Sequence, residues 1–188
     1  MKRFAVAAAV LFAGGAVLSA QSSVPKPEFR PFVGANIPTG PQRDLFGDAG
    51  MIGAQVAVEI RPTLHVLGSF GWIATQSNYA VTNDNVNLFT YDVGLELSVV
   101  TPMASQWEFK PFVGIGAGAR TYAYRGALPN KTGGSGYFAL GTEFQLAPWA
   151  FRLEVRDNAF SYRSPLAGVS AETRNDVGLA LGLAYHFR

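Results

Sequence analysis

The sequence predicts an all-β chain, an eight-stranded antiparallel up-and-down transmembrane β-barrel. Three observations predict it: a strictly alternating C-terminal run, eight alternating segments along the chain, and connections that are short and long by turns. The clearest segment is Val177 to Phe187. Val177, Leu179, Leu181, Leu183, Tyr185 and Phe187 take every second position, with Gly178, Ala180, Gly182, Ala184 and His186 between them. Period two puts the two sets on opposite faces of a strand. The run has the roughly 9–11 residues that a tilted membrane-spanning strand needs.

The N-terminal end reads as an export signal. Met1-Lys2-Arg3 is basic, Phe4 to Leu18 is uncharged and apolar, and small residues Ser19-Ala20 precede Gln21. That is the layout of a secretory signal peptide over residues 1–20, cut after Ala20, with residues 21–188 as one barrel domain. As an anchor the run is short and rich in Ala and Gly. The chain has no Cys, which excludes a lipid-anchored leader and a disulfide staple. The leader holds Lys2 and Arg3 and no acid, so of the 15 basic and 13 acidic residues it leaves 13 of each. The basic pI of about 9.0 then belongs to the export signal and is no nucleic-acid footprint. No window after the leader is apolar for the length of a membrane helix. Such a chain can occupy a bilayer only as a closed barrel, where every backbone N–H and C=O finds a partner.

The segments follow in order. The first runs from about Arg30 to Ile37 and the second from Ile52 to Ile60, with Ile52, Ala54, Val56, Val58 and Ile60 on one face and Gly53, Gln55, Ala57 and Glu59 on the other. The third is Leu64 to Ile73, with Leu67 on the inward phase. The fourth, Phe89 to Val99, sets Phe89, Tyr91, Val93, Leu95, Leu97 and Val99 against Thr90, Asp92, Gly94, Glu96 and Ser98. The fifth is Trp107 to Thr121, the sixth Tyr137 to Leu146, the seventh Trp149 to Val155 or beyond, and the eighth Val177 to Phe187. Arg61 to Thr63, Val100 to Gln106 and Ala147-Pro148 make short turns; residues 38–50, 74–87, 124–136 and 161–175 make long polar loops. That asymmetry puts the short turns and both termini on the periplasmic side and the long loops outside.

Phe29-Arg30-Pro31-Phe32-Val33-Gly34-Ala35 returns as Phe109-Lys110-Pro111-Phe112-Val113-Gly114-Ile115. The spacing is four strands, half the barrel. Proline cannot donate to a ladder, so Pro31 and Pro111 are expected at the periplasmic strand ends, below the full hydrogen-bond network. Aromatics gather at strand ends on the outward phase. Phe29, Trp107, Phe109, Trp149, Phe151, Tyr185 and Phe187 form one expected girdle, and Phe70, Trp72, Phe89 and Tyr91 the other.

A soluble barrel would reverse the faces, with apolar residues inside. Here the non-apolar phase carries Glu59, Asp92, Glu96, Glu108, Lys110, Arg120, Glu143, Arg152, Glu154 and Arg156 among Gly, Ala, Ser and Thr. Glycine in a strand is costly unless something must approach closely. The interior of an eight-stranded barrel is just wide enough for side chains to fill, and long Arg and Glu chains need small neighbours there. The expected interior is therefore an ion-pair network of Glu59, Glu96, Lys110, Arg120, Glu143, Arg152, Glu154 and Arg156, of nearly balanced sign. It reads as a plug; the alternative is a gated path for small ions.

Chemistry finds little support. No Cys nucleophile exists, and His65 and His186 lack metal-ligand spacing. Both histidines belong at the periplasmic end, away from the outer leaflet. No catalytic residue, metal or cofactor is expected, and the chain is expected not to be an enzyme. Lys131-Thr132-Gly133-Gly134-Ser135-Gly136 is read as a flexible external loop rather than a phosphate cradle. Leu45, Phe46, Tyr79, Leu128 and Leu166 are the few apolar loop residues, too scattered to announce an apolar funnel.

The leader, the loop pattern and the terminal strand together resemble small bacterial outer-membrane β-barrel proteins of the OmpA/OmpX/OmpW-like superfamily. The resemblance implies a Gram-negative-type outer membrane, lipid and the insertion machinery as partners, and a terminal strand read as an insertion signal through Gly178, Leu181, Leu183, Tyr185 and Phe187. It implies a structural or surface-interaction protein acting through its external loops; the alternative is a minor transporter of small ions or apolar molecules. A monomer is expected, and no surface ligand is named by any motif.

Overall fold

The computed structural model describes residues 27–78, 85–103, 107–125, 128–146, 148–162 and 171–186, with His186 described by its backbone. The leader, Tyr79, Leu166, Phe187 and Arg188 lie outside these residues, and with them the signal-peptide assignment and Phe187's expected places in girdle and insertion signal.

Eight long strands are β1 (Pro27–Pro38), β2 (Ala49–Arg61), β3 (Leu64–Gln76), β4 (Asn85–Ser98), β5 (Glu108–Tyr124), β6 (Lys131–Leu146), β7 (Trp149–Tyr162) and β8 (Glu172–His186). Each pairs antiparallel with its sequence neighbour, and β1 pairs with β8 to close the cylinder. A two-residue strand, Thr101–Pro102, adds to the lower end of β5 beside the turn that follows β4. Closure leaves no long unpaired edge, which is what hydrocarbon requires of a sheet.

The faces fall as the alternation predicts. Thr90, Asp92, Gly94, Glu96 and Ser98 of β4 are buried inside, while Tyr91, Val93, Leu95 and Leu97 are exposed outside. Val33, Ile115, Leu181 and Phe151 are each more than half exposed, and all point outward. A soluble fold would not leave such a belt in water.

Three expectations change. The strands run longer than read: β5 reaches Tyr124 and β6 begins at Lys131, so Lys131 to Gly136 is strand rather than loop. Gly133 pairs with Arg120 and Gly134 with Ala119. Small residues carry no visible hydropathy alternation, so this stretch has no period to read. β8 likewise starts at Glu172, before Val177.

The prolines divide. Pro111 lies where the β4–β5 ladder ends, one residue below the Ser98–Phe112 pair. Pro31 lies inside the closing seam. Phe29 pairs with Tyr185 and Phe32 with Gly182, while Arg30 and Pro31 have no partner on β8. Against β2 the ladder is unbroken at Arg30–Gln55 and Pro31–Ala54. The N–H that proline lacks is thus the one that would face β8.

In both repeats the phenylalanine points inward and lies over a glycine of the next strand, Phe32 over Gly53 and Phe112 over Gly141. A Cβ on Gly53 would stand 2.4 Å from the Phe32 ring, and one on Gly141 would stand 2.2 Å from that of Phe112. Each ring fills room that a glycine leaves, and the repeat is a packing device used twice.

Candidate functional site: a filled interior and a capped mouth

The lower interior is a continuous chain of charge, built from inward positions of β1, β4, β6 and β7. Arg30 donates from Nη1 to Glu96 Oε1 at 3.1 Å and from Nε to Glu28 Oε2 at 2.9 Å. Glu96 also accepts from Arg152, so one carboxylate joins two guanidiniums. Arg152 Nη2 donates to Glu154 at 2.9 Å, and its Nη1 lies 3.6 Å from Glu143. Arg156 Nε donates to the other oxygen of Glu154 at 2.9 Å, and its Nη1 reaches Asp92 at 3.4 Å. Gln55 of β2 donates to Glu154, and Ser69 of β3 to Asp92. His65 Nε2 lies 3.8 Å from Glu28 on the floor of the barrel.

A second cluster sits higher. Arg120 forms a two-pronged pair with Asp176, and Asn158 Nδ2 donates to Asp176 at 3.0 Å. Three interior arginines also lie on aromatic rings: Arg152 over Phe112 at 3.5 Å, Arg156 over Tyr137 at 3.9 Å and Arg120 over Phe160 at 4.5 Å. Stacking covers the guanidinium faces while carboxylates take the edges, which compensates desolvation on all sides.

Of the network predicted from sequence, Glu96, Lys110, Arg120, Glu143, Arg152 and Glu154 are buried, and Arg156 is nearly so. Lys110 lies opposite Glu143 across β5 and β6. Glu59 does not join: it is half-buried beside the register shift between Glu59 and Arg61, and forms no ion pair with any described residue. Sequence reading omitted Glu28, Arg30, Asp92 and Asp176 from the network. Strand β1 starts three residues before the predicted Arg30, which hid Glu28; Arg30, Asp92 and Asp176 stand at inward positions that alternation alone could have supplied.

The interior cavities bordered by the described residues are small. A cavity of about 30 Å³ lies between the two clusters, bordered by Asn36, Gln55, Thr90, Asp92, Arg120 and Arg156. One of about 10 Å³ lies below, between Arg30, Gln55, Arg152 and Glu154. A water needs roughly 10–15 Å³ on this measure, so these spaces suit a few waters at most.

Above the charges the inward phase turns apolar. Ile73, Val86, Leu88, Tyr122, Tyr124, Phe160 and Tyr162 converge at the outer end with Phe46 from the loop between β1 and β2. The Phe46 ring is 5.4 Å from Tyr122 and 6.0 Å from Tyr162. Leu45 and Leu128, read from sequence as scattered, pack against this cluster. The loop is tied down along its length. Thr39 N donates to Asn175 O, Arg174 Nη1 to Pro41 O at 2.7 Å, Gln42 Nε2 to Tyr122 Oη, and Asn78 N to Leu45 O at 2.8 Å. The first external loop is therefore a cap over the mouth.

The described members of the expected girdles stand on the outward phase, with Trp107 just before β5. Phe29, Tyr91, Trp149 and Phe151 are exposed, while Trp72, Phe89, Trp107, Phe109 and Tyr185 are half-buried. Neighbouring rings share the cover: Trp149 with Tyr185 at 4.9 Å, Phe109 with Phe144 at 5.4 Å, and Phe70 with Tyr91 at 5.5 Å. Trp72 Nε1 donates to Asn87 Oδ1 at 3.1 Å. In the terminal strand Gly178 points inward, and Leu181 and Leu183 point outward. Among the described residues no group of His, Asp and Glu has the makings of a metal site.

Comparison with known proteins agrees with this architecture. Neisserial surface protein A has a similar crystal structure, with TM-score 0.65 and 11% identity over 86% of this chain and 97% of that one. The N-terminal β-barrel domain of Pseudomonas aeruginosa OprF gives TM-score 0.53 and 14% identity, covering 86% and 97% of the two chains. The outer membrane protein OprG of the same organism gives 0.54 and 15%, covering 88% and 97%. No curated protein sequence matches. Residues 5–187 match the family described as outer membrane protein beta-barrel domain. Closed eight-stranded topology, lipid-facing belt and enclosed charges thus meet a match over nearly the whole length, and the chain belongs to the outer membrane protein beta-barrel domain family.

Proposed function

We propose that this chain is an occluded barrel of the outer membrane, a structural or surface-interaction protein that meets its partners through its external side and conducts no solute. The observation that carries this reading is the double closure: a charge network with cavities of about 30 and 10 Å³, beneath a mouth sealed by Phe46. Opening a path would require separating ion pairs in a medium that penalises unpaired charge by several kcal/mol each.

In this reading the leader exports the chain, the terminal strand is presented to the insertion machinery, the barrel works as a monomer, and no catalysis takes place. His65 supports no catalytic role, because it is enclosed beside Glu28 at the periplasmic floor, away from the external surface. Planar-bilayer recording of the refolded barrel tests the proposal. A silent barrel is expected. Steady single-channel currents that change when Arg120 or Glu143 is neutralised would establish the transporter reading instead.

A further inference from the structure

The lipid-facing wall at the closing seam between β1 and β8 is grooved. An apolar groove of about 400 Å³ runs over the lipid-facing wall between Pro31, Val33, Phe151, Leu181 and Leu183. A second, of about 370 Å³, continues it downward between Phe29, Pro31, Trp149, Leu183 and Tyr185. The two share Pro31 and Leu183. Pro31 is also where the β1–β8 ladder is interrupted. Phe32 and Gly182, both on the inward phase, line the upper groove from the lipid side and the 10 Å³ cavity from the interior.

We propose that this groove holds one acyl chain of a phospholipid from the periplasmic leaflet. The groove is continuous with the face that stands in hydrocarbon, so its occupant is a membrane lipid. Leu181 to Tyr185 spans about 13 Å of strand at ~3.3 Å per residue. That is comparable with the half of the ~30 Å hydrocarbon core that one leaflet supplies. Trp149 and Tyr185, with rings 4.9 Å apart, close the lower end at the level where amphipathic rings meet headgroups. The cause is local. Without an N–H at Pro31 the two strands lose their bond, and the outward side chains on either side part around a proline instead of packing across it. Pro111 sits differently: Val99 N donates to Pro111 O at 3.2 Å, and Thr101–Pro102 pairs with Phe109 and Glu108 just below it.

The test uses the whole chain reconstituted in vesicles of phosphatidylethanolamine and phosphatidylglycerol, extracted into mild detergent and weighed by native mass spectrometry. The wild type is expected to retain one phospholipid per barrel. Pro31→Ala restores the missing N–H, and retention should fall roughly tenfold, the effect of losing about two buried methylene contacts. Leu183→Trp fills the groove from β8 and should do the same, so the test survives if Pro31→Ala does not fold. Pro111→Ala should retain lipid like the wild type. The proposal is overturned if the wild type retains no lipid, if both seam variants retain it unchanged, or if Pro111→Ala loses it equally.

Discussion

The lower interior and the outer mouth are built from the same strands and the same inward phase, yet by opposite chemistry. Along β7 the inward positions read Arg152, Glu154, Arg156, Asn158, Phe160, Tyr162. Along β5 they pass from Lys110 and Phe112 through three glycines to Arg120, Tyr122 and Tyr124. The lower part is enclosed by a wall standing in lipid and is closed by ion pairs. The upper part stands where the barrel opens to water and is closed by burying apolar surface, the force that water supplies. A charged lower interior needs each partner in place, because one missing carboxylate strands a guanidinium. An aromatic cap needs only shape, and it can borrow Phe46 from a loop. The difference shows that one periodicity serves two kinds of closure, and that the boundary between them is a matter of height in the barrel.

Removing the shared partner in the charged region should have the largest effect. Glu96→Ala leaves both Arg30 and Arg152 without their common acceptor, and is expected to cost on the order of 3–5 kcal/mol. Urea unfolding in lipid vesicles measures it, and a loss under 1 kcal/mol would mean that the charges are solvated rather than enclosed. Phe46→Ala should cost about 3 kcal/mol, the low end for a buried phenylalanine, because a loop can partly collapse into the space. The two changes share no partner, so the double variant should lose the sum to within about 0.5 kcal/mol. A strong coupling would show that cap and network are one unit, and the comparison would break.

Gly141→Ala tests the packing between the regions. Its Cβ would meet Leu153 O and the Phe112 ring, each at 2.2 Å, and a backbone oxygen cannot yield easily. A loss of roughly 1–3 kcal/mol is expected by the same unfolding measurement, while Gly134→Ala, with nothing within 4 Å, should be close to neutral. Least of all should come from the exposed Arg43–Asp48 pair of the cap, 3.4 Å apart. Asp48→Asn should change stability by about 0–1 kcal/mol, and less in high salt. A larger effect there would mean that electrostatics holds the cap, in place of Phe46.

Much was legible in the chain itself. Alternation in β4 and β8 set the two faces, because a pleated strand sends neighbours to opposite sides whatever surrounds it. The charged residues among glycines marked the enclosed side, because a narrow lumen must balance charge and leave room at once. What escaped depends on contacts between residues far apart in sequence. Lys131 to Gly136 has too little hydropathy contrast to read as strand, and only pairing with β5 makes it one. Phe46, Leu45 and Leu128 look isolated along the chain, and the mouth of the cylinder brings them together. Glu59 has the right phase for the network, but the irregularity beside Arg61 leaves it at the rim. Pro31 and Pro111 have nearly the same local sequence and different neighbours. The sequence by itself determined which side of each strand meets lipid, a property local to the backbone. Only the closed barrel decided which charges pair, what seals the mouth and where the seam parts, because those follow from strands meeting across the chain's whole length.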